Sequence, residues 1–67
     1  MGKEEISKSK YGDVIKYKND HGSYNYLIVE NIKNGMVHGQ IANPKGVNAL
    51  TIDELVKRDA VFLEKKK

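Results

Sequence analysis

The dipeptide Asn34-Gly35 constrains this chain more than any other feature. It separates two runs rich in β-formers: Tyr24, Tyr26, Leu27, Ile28, Val29 and Ile32 before it, and residues 36–42 after it. Asn and Gly tolerate the positive φ angles of a type I′ turn, whose twist matches a two-residue hairpin. The turn then sets the register. Lys33 is expected opposite Met36, Ile32 opposite Val37, Glu30 opposite Gly39 and Ile28 opposite Ile41. One face of the hairpin would carry Tyr24, Tyr26, Ile28, Ile32, Val37 and Ile41, the expected core. The other would carry Leu27, Val29, Asn31, His38, Gln40 and Ala42. Gly39 has no side chain to pack and marks a bend or bulge that lets the sheet curl.

Other elements follow from local signals. Val14-Ile15-Lys16-Tyr17-Lys18 alternates and reads as a strand. Asn19-Asp20-His21-Gly22-Ser23 is a run of turn formers that ends it. Asn43-Pro44-Lys45-Gly46 fits a type I turn, and Val47-Asn48-Ala49-Leu50 reads as a short strand or loop. Thr51-Ile52-Asp53-Glu54 matches a capping box, with Ile52, Leu55 and Val56 forming one apolar helix face. Asp53 and Glu54 in the first turn, and Lys57 and Arg58 in the last, suit the helix dipole. Ala60-Val61-Phe62-Leu63-Glu64 is expected as the final strand. Residues 1–10 hold one large apolar residue, Ile6, and no periodicity, so they read as a disordered arm.

An isolated hairpin is marginal in water, and a curled sheet that closes on itself removes its exposed edges. The opening Gly12-Asp13-Val14-Ile15-Lys16-Tyr17, the long central hairpin and the helical turn before a last strand together resemble SH3-like small β-barrels. The resemblance spans residues 11–64. It implies a mainly β fold, a small barrel of about five strands with one short helix before the last, flanked by the 1–10 arm and a basic tail, residues 65–67. The compact size and basic tail also look like small proteins of bacteriophages or Gram-positive bacteria. That likeness implies a protein directed at a host partner.

Composition removes whole classes of function. With 67 residues there is room for one domain. The absence of cysteine excludes a disulfide framework, thiolate zinc sites and cysteine catalysis. There is no apolar run of the ~20 residues a membrane helix needs, and the polar opening MGKEEISKSK lacks a signal-peptide pattern. A cytoplasmic domain without membrane association is expected. The net charge of +3 is unevenly placed. The first ten residues carry +1 and the last three +3, whereas residues 11–64 set six cations against seven anions. The basic character therefore belongs to the ends and the body is near neutral.

No pattern of catalytic chemistry is present. His21 and His38 have no partner at metal-ligand spacing. Ser7, Ser9 and Ser23 lie outside any nucleophile elbow, and Asp53 and Glu54 are explained by helix capping. No cofactor motif occurs, so neither an enzyme nor a cofactor is expected. Binding remains. A protein partner is the first expectation, through Leu27, Val29, His38 and Gln40 on the half-apolar hairpin face, Met36 beside the turn, and Tyr11 and Tyr17. Packing of Leu27 and Val29 beneath the helix is the competing reading of those two residues. The alternative function is sequence-tolerant nucleic-acid binding, with tyrosines stacking on bases beside Lys16, Lys18, Lys33 and the tail Lys65, Lys66 and Lys67. A third reading is self-association.

Overall fold

The β-forming runs assemble into one antiparallel sheet. The computed structural model describes residues 2–41 and 47–66, the side chains of Val47 and Asn48 excepted. The elements are α1 (Lys3–Ser7), β1 (Val14–Lys18), β2 (Tyr24–Lys33), β3 (Met36–Ile41), β4 (Val47–Thr51), α2 (Ile52–Lys57) and β5 (Val61–Glu64). The strand order is β4-β3-β2-β1-β5. Four strands form a meander, and the fifth returns to the free side of the first. The sheet has β4 and β5 as its edges, so strand pairing leaves it open where a closed barrel was expected. Among the described residues no helix is long and apolar enough to cross a membrane. The expected turn at residues 43–46, Ala42 and Lys67 fall outside the described residues.

The Asn34-Gly35 turn forms with φ of 53° and 73°, both in the left-handed region that a type I′ turn demands. Next to it the expected register holds: Lys33 pairs with Met36, Ile32 with Val37 and Asn31 with His38. Beyond it a β-bulge intervenes. Val29, not Glu30, pairs with Gly39, so Ile28 pairs with Gln40 and Leu27 with Ile41. Glu30 is the additional residue of β2. Because side chains alternate with period two, one inserted residue exchanges the two faces of β2 beyond it, while β3 keeps its alternation, with Val37, Gly39 and Ile41 all buried. Gly39 permits the bulge. A Cβ built there would fall on the Ile28 carbonyl oxygen and lie 3.1 Å from Leu27 Cδ1.

The core is corrected accordingly. Leu27 and Val29 are buried, together with Ile6, Ile15, Tyr17, Val37, Ile41, Leu55 and Ala60. Ile32, Leu50, Ile52, Val56 and Phe62 pack against this cluster. Tyr24 and Ile28, expected inside, are exposed, and Tyr26 is half-buried. The expected helix face is confirmed, with Leu55 fully buried between half-buried Ile52 and Val56.

Helix α2 begins as its sequence requires. Thr51 Oγ1 accepts from the Glu54 amide at 3.0 Å. The Glu54 carboxylate does not complete the reciprocal half of the box, because it accepts from Arg58 Nε at 2.8 Å. The Ile52 amide donates to the Gly35 carbonyl at 3.0 Å, tying the helix to the hairpin turn. At the other end Arg58 reaches the close of β1, donating through Nη1 to Asp20 at 2.8 Å and to the Lys18 carbonyl at 3.3 Å.

The first ten residues are not a featureless arm. Residues 3–7 form α1, and Ile6 is fully buried in the main core. A five-residue helix with one apolar side chain has no periodicity to read, and such a helix is not stable alone. Burial of Ile6 supplies what propensity lacks, worth ~1.5–3 kcal/mol for a side chain of this size. The helix packs on α2, with Lys3 Nζ 2.6 Å from Asp53 Oδ1 at the surface.

Candidate interaction surface

The bulge decides which residues face outward. On β1, Ile15 and Tyr17 point into the core, leaving Val14, Lys16 and Lys18 on the other side. On β2 the same side carries Tyr24, Tyr26 and Ile28, and on β3 it carries Met36, His38 and Gln40. Cross-strand pairing sets these side chains in rows. Val61 of β5 pairs with Lys16, which pairs with Tyr26, and Val14 pairs with Ile28, which pairs with Gln40. Lys18 pairs with Tyr24. Paired residues in adjacent strands have Cβ atoms ~5 Å apart, so each row is a line of touching neighbours.

The resulting face is more apolar than a solvated sheet surface needs to be. Tyr24 is 47% exposed, Ile28 41% and Val61 47%. Leu63, the residue displaced by the irregularity between Val14 and Ile15 in the β1–β5 ladder, is 58% exposed. Lys16 Nζ stands 4.3 Å from the centre of the Tyr24 ring, a cation–π pair. Lys18 and Lys33 are exposed.

The expected binding residues are redistributed. Leu27 and Val29 are core residues and present no surface; the reading that buries them holds. Tyr17 is buried too, its hydroxyl accepting from Asn25 Nδ2 at 3.3 Å, and is withdrawn as a contact residue. Met36 and His38 are half-buried, and Gln40 is exposed, on the outward face. Tyr11 is the most exposed large apolar residue of those described, in the turn before β1. The residues that sequence reasoning placed inside, Tyr24 and Ile28, are the ones the sheet displays. Gly39, read together with the register it forces, was the signal for them.

The basic tail is anchored through a buried carboxylate. Asp13 is fully buried. Its Oδ2 accepts from the Lys10 amide at 2.8 Å, and its Oδ1 from the Lys66 amide at 2.6 Å. Lys65 Nζ approaches Oδ2 at 3.5 Å. Burial pushes the Asp13 pKa up, but the two amide bonds and Lys65 outweigh it, and the carboxyl titrates below its ordinary value. Lys65 also lies over the Phe62 ring, 4.2 Å from its centre. Lys66 pairs with Glu64 at 2.6 Å, and its carbon stem covers Gly12. Hydrogen bonding to Glu64 pushes the Lys66 pKa up. Both described tail lysines, Lys65 and Lys66, therefore have local partners.

His21 lies exposed in the β1–β2 turn, where Asn19 Oδ1 accepts from the amides of His21 and Ser23. Among the described residues no group of three His, Asp or Glu side chains converges as a metal site. No family model, no curated protein and no solved structure matches this chain.

Proposed function

We propose that this chain is a non-catalytic binding module that regulates or inhibits a protein partner through the outward face of β1, β2 and β5. The supporting observation is the ordered row of Tyr24, Tyr26, Ile28, Val14 and Val61 on a scaffold whose core is already filled. Aromatic and aliphatic side chains held on strands lose little conformational freedom when a partner covers them, which favours association. The open five-stranded sheet, with two irregular ladders and a last strand returning to the first, is read as an SH3-like barrel with one unpaired seam. A cytoplasmic setting and a host protein as the partner accord with the phage-like character of the sequence.

A second reading has one observation in its favour. Lys16 over the Tyr24 ring, with Lys18 and Lys33 exposed, is a combination that also suits a single-stranded nucleic acid. One experiment separates the two. Immobilised protein is exposed to a Gram-positive bacterial lysate with and without nuclease, in parallel with Ile28→Asp. A discrete protein kept after nuclease and lost on Ile28→Asp supports the proposal. Loss on nuclease treatment, with affinity falling steeply as salt rises, supports the nucleic-acid reading instead.

A further inference from the structure

A second surface lies away from that row, where α1, the turn before β1 and the start of the C-terminal tail converge. Glu5, Lys8, Lys10, Phe62 and Lys65 line a groove of about 340 Å³. This is at the small end of the ~300–1,000 Å³ that ligand pockets occupy. Its aromatic lining residue is the half-buried Phe62, whose ring carries the Lys65 ammonium. Lys8 and Lys10, two residues apart, and Lys65, from the other end of the chain, line it, with Glu5 as the only acid among its lining residues. Lys10 makes no ion pair among the described residues. Lys8 has only a 3.6 Å approach to Glu4, with both side chains largely exposed, and such surface pairs are weak. Lys65 is held in place by Asp13 and the Phe62 ring. An aromatic ring in a groove lined by three lysines and one glutamate is complementary to an apolar side chain flanked by carboxylates.

We infer that this groove takes an acidic peptide segment, its aromatic or aliphatic side chain replacing the Lys65 ammonium over Phe62 and its carboxylates against Lys8, Lys10 and the displaced Lys65. The inference rests on the protein-partner reading and supplies a chemical class for a segment of that partner. It uses different residues from the outward sheet face, so the two fail separately.

The test uses the full chain, ¹⁵N-labelled, at physiological salt, where exposed charges more than ~8 Å apart are screened. The probe is a blocked heptapeptide with a central phenylalanine and three acidic residues on each side. Saturable shifts at Lys8, Lys10 and Phe62 are expected. Lys10→Glu and Lys8→Gln, both at exposed side chains, should each weaken binding, the reversal by at least tenfold. A peptide with serine at the centre should bind at least tenfold more weakly, while Ile28→Asp should leave affinity unchanged. Absence of saturable binding, or shifts that map to Tyr24 and Ile28 instead, would overturn the groove as the site. Equal binding of the serine peptide, or equally tight competition by an oligothymidylate of matched charge, would reduce it to a non-selective anion surface and overturn it too.

Discussion

On the turn side of the β2 bulge, Ile32 and Val37 face the core while Asn31, His38 and Met36 face outward. On the far side the parity of β2 is opposite, with Leu27 and Val29 inside and Tyr24, Tyr26 and Ile28 displayed, while β3 still turns Ile41 to the core as it does Val37. Both halves belong to the same two strands and descend from the same turn. They differ by one residue, Glu30, inserted opposite a glycine. A tight turn sets register only as far as the first irregularity. Past that point, the packing of the other elements decides which face is buried. Here Ile15, Tyr17 and Leu55 lie on the same side as Leu27 and Val29 and form one buried cluster with them.

The largest effect expected from this difference is between neighbours. Leu27→Ala deletes a fully buried side chain and should cost about 3–4 kcal/mol. Ile28→Ala, one residue along, should cost about 0.5 kcal/mol or less, as exposed substitutions do. Urea denaturation of the two variants measures the contrast. Equal costs would mean that the inversion of faces is wrong.

Next comes the residue that allows the inversion. Gly39→Ala adds one methyl group, aimed at the Ile28 backbone, which cannot swing aside as a flexible side chain would. The expected loss is about 2–3 kcal/mol, the upper part of the range for overpacking. Amide shifts should move most between residues 27 and 31. Retained stability with unchanged shifts would show that the close approach is not there.

These two cases also mark how far the sequence could be read. β1, β2, the Asn34-Gly35 turn and the Thr51 cap were legible because each signal sits within a few residues of what it specifies. The bulge itself was legible in Gly39, but its consequence for parity was not, because that depends on which face Ile15, Tyr17 and Leu55 cover. The α1 helix was hidden for a similar reason: Ile6 is one apolar residue among polar ones, and only the assembled core gives it a place. Asp13 reads in sequence as a turn residue, yet its carboxylate holds backbone amides of Lys10 and Lys66, 56 positions apart in numbering between them, from inside the fold. Of the outward sheet face, Met36, His38, Gln40, Lys16 and Lys18 were legible as candidates, whereas Tyr24, Tyr26 and Ile28 were missed because they were assigned to the core.

Asp13 gives the third test, because it anchors the far half alone. The Val29 amide donates to the Asp13 carbonyl at 2.8 Å, and the Gly12 amide to the Val29 carbonyl at 2.9 Å. Asp13→Asn replaces a carboxylate oxygen by an NH₂ group that cannot accept, leaving the Lys10 or the Lys66 amide without its partner. Hydrogen bonds to charged groups contribute ~1.5–3 kcal/mol, so a loss of about 2 kcal/mol is expected. The pH dependence has a definite sign. The folded pKa is depressed below the unfolded one, so the stabilisation is complete above the unfolded value. It drains away as the pH falls through the folded value. Thermal melts of the wild type should therefore fall more steeply in acid than those of Asp13→Asn. Parallel profiles would show that Asp13 does not carry the acid sensitivity.

The smallest effect expected isolates the near half. Gly35 has a φ of 73°, and a Cβ there would meet nothing within 4 Å. Gly35→Ala thus changes backbone strain without a clash, and a left-handed conformation costs a non-glycine residue ~1–2 kcal/mol. A loss of about 1 kcal/mol is expected. Hydrogen exchange distinguishes it from Asp13→Asn. Gly35→Ala should speed exchange at the amides paired around Ile32 and Val37, and at Ile52, which donates to the Gly35 carbonyl. Asp13→Asn should speed it around Val29 and Gly12. Such a split would make the bulge a boundary between two separately supported segments of one hairpin. Uniform acceleration in both variants would instead show that the halves open as one unit, with the bulge inverting their faces but not dividing their stability.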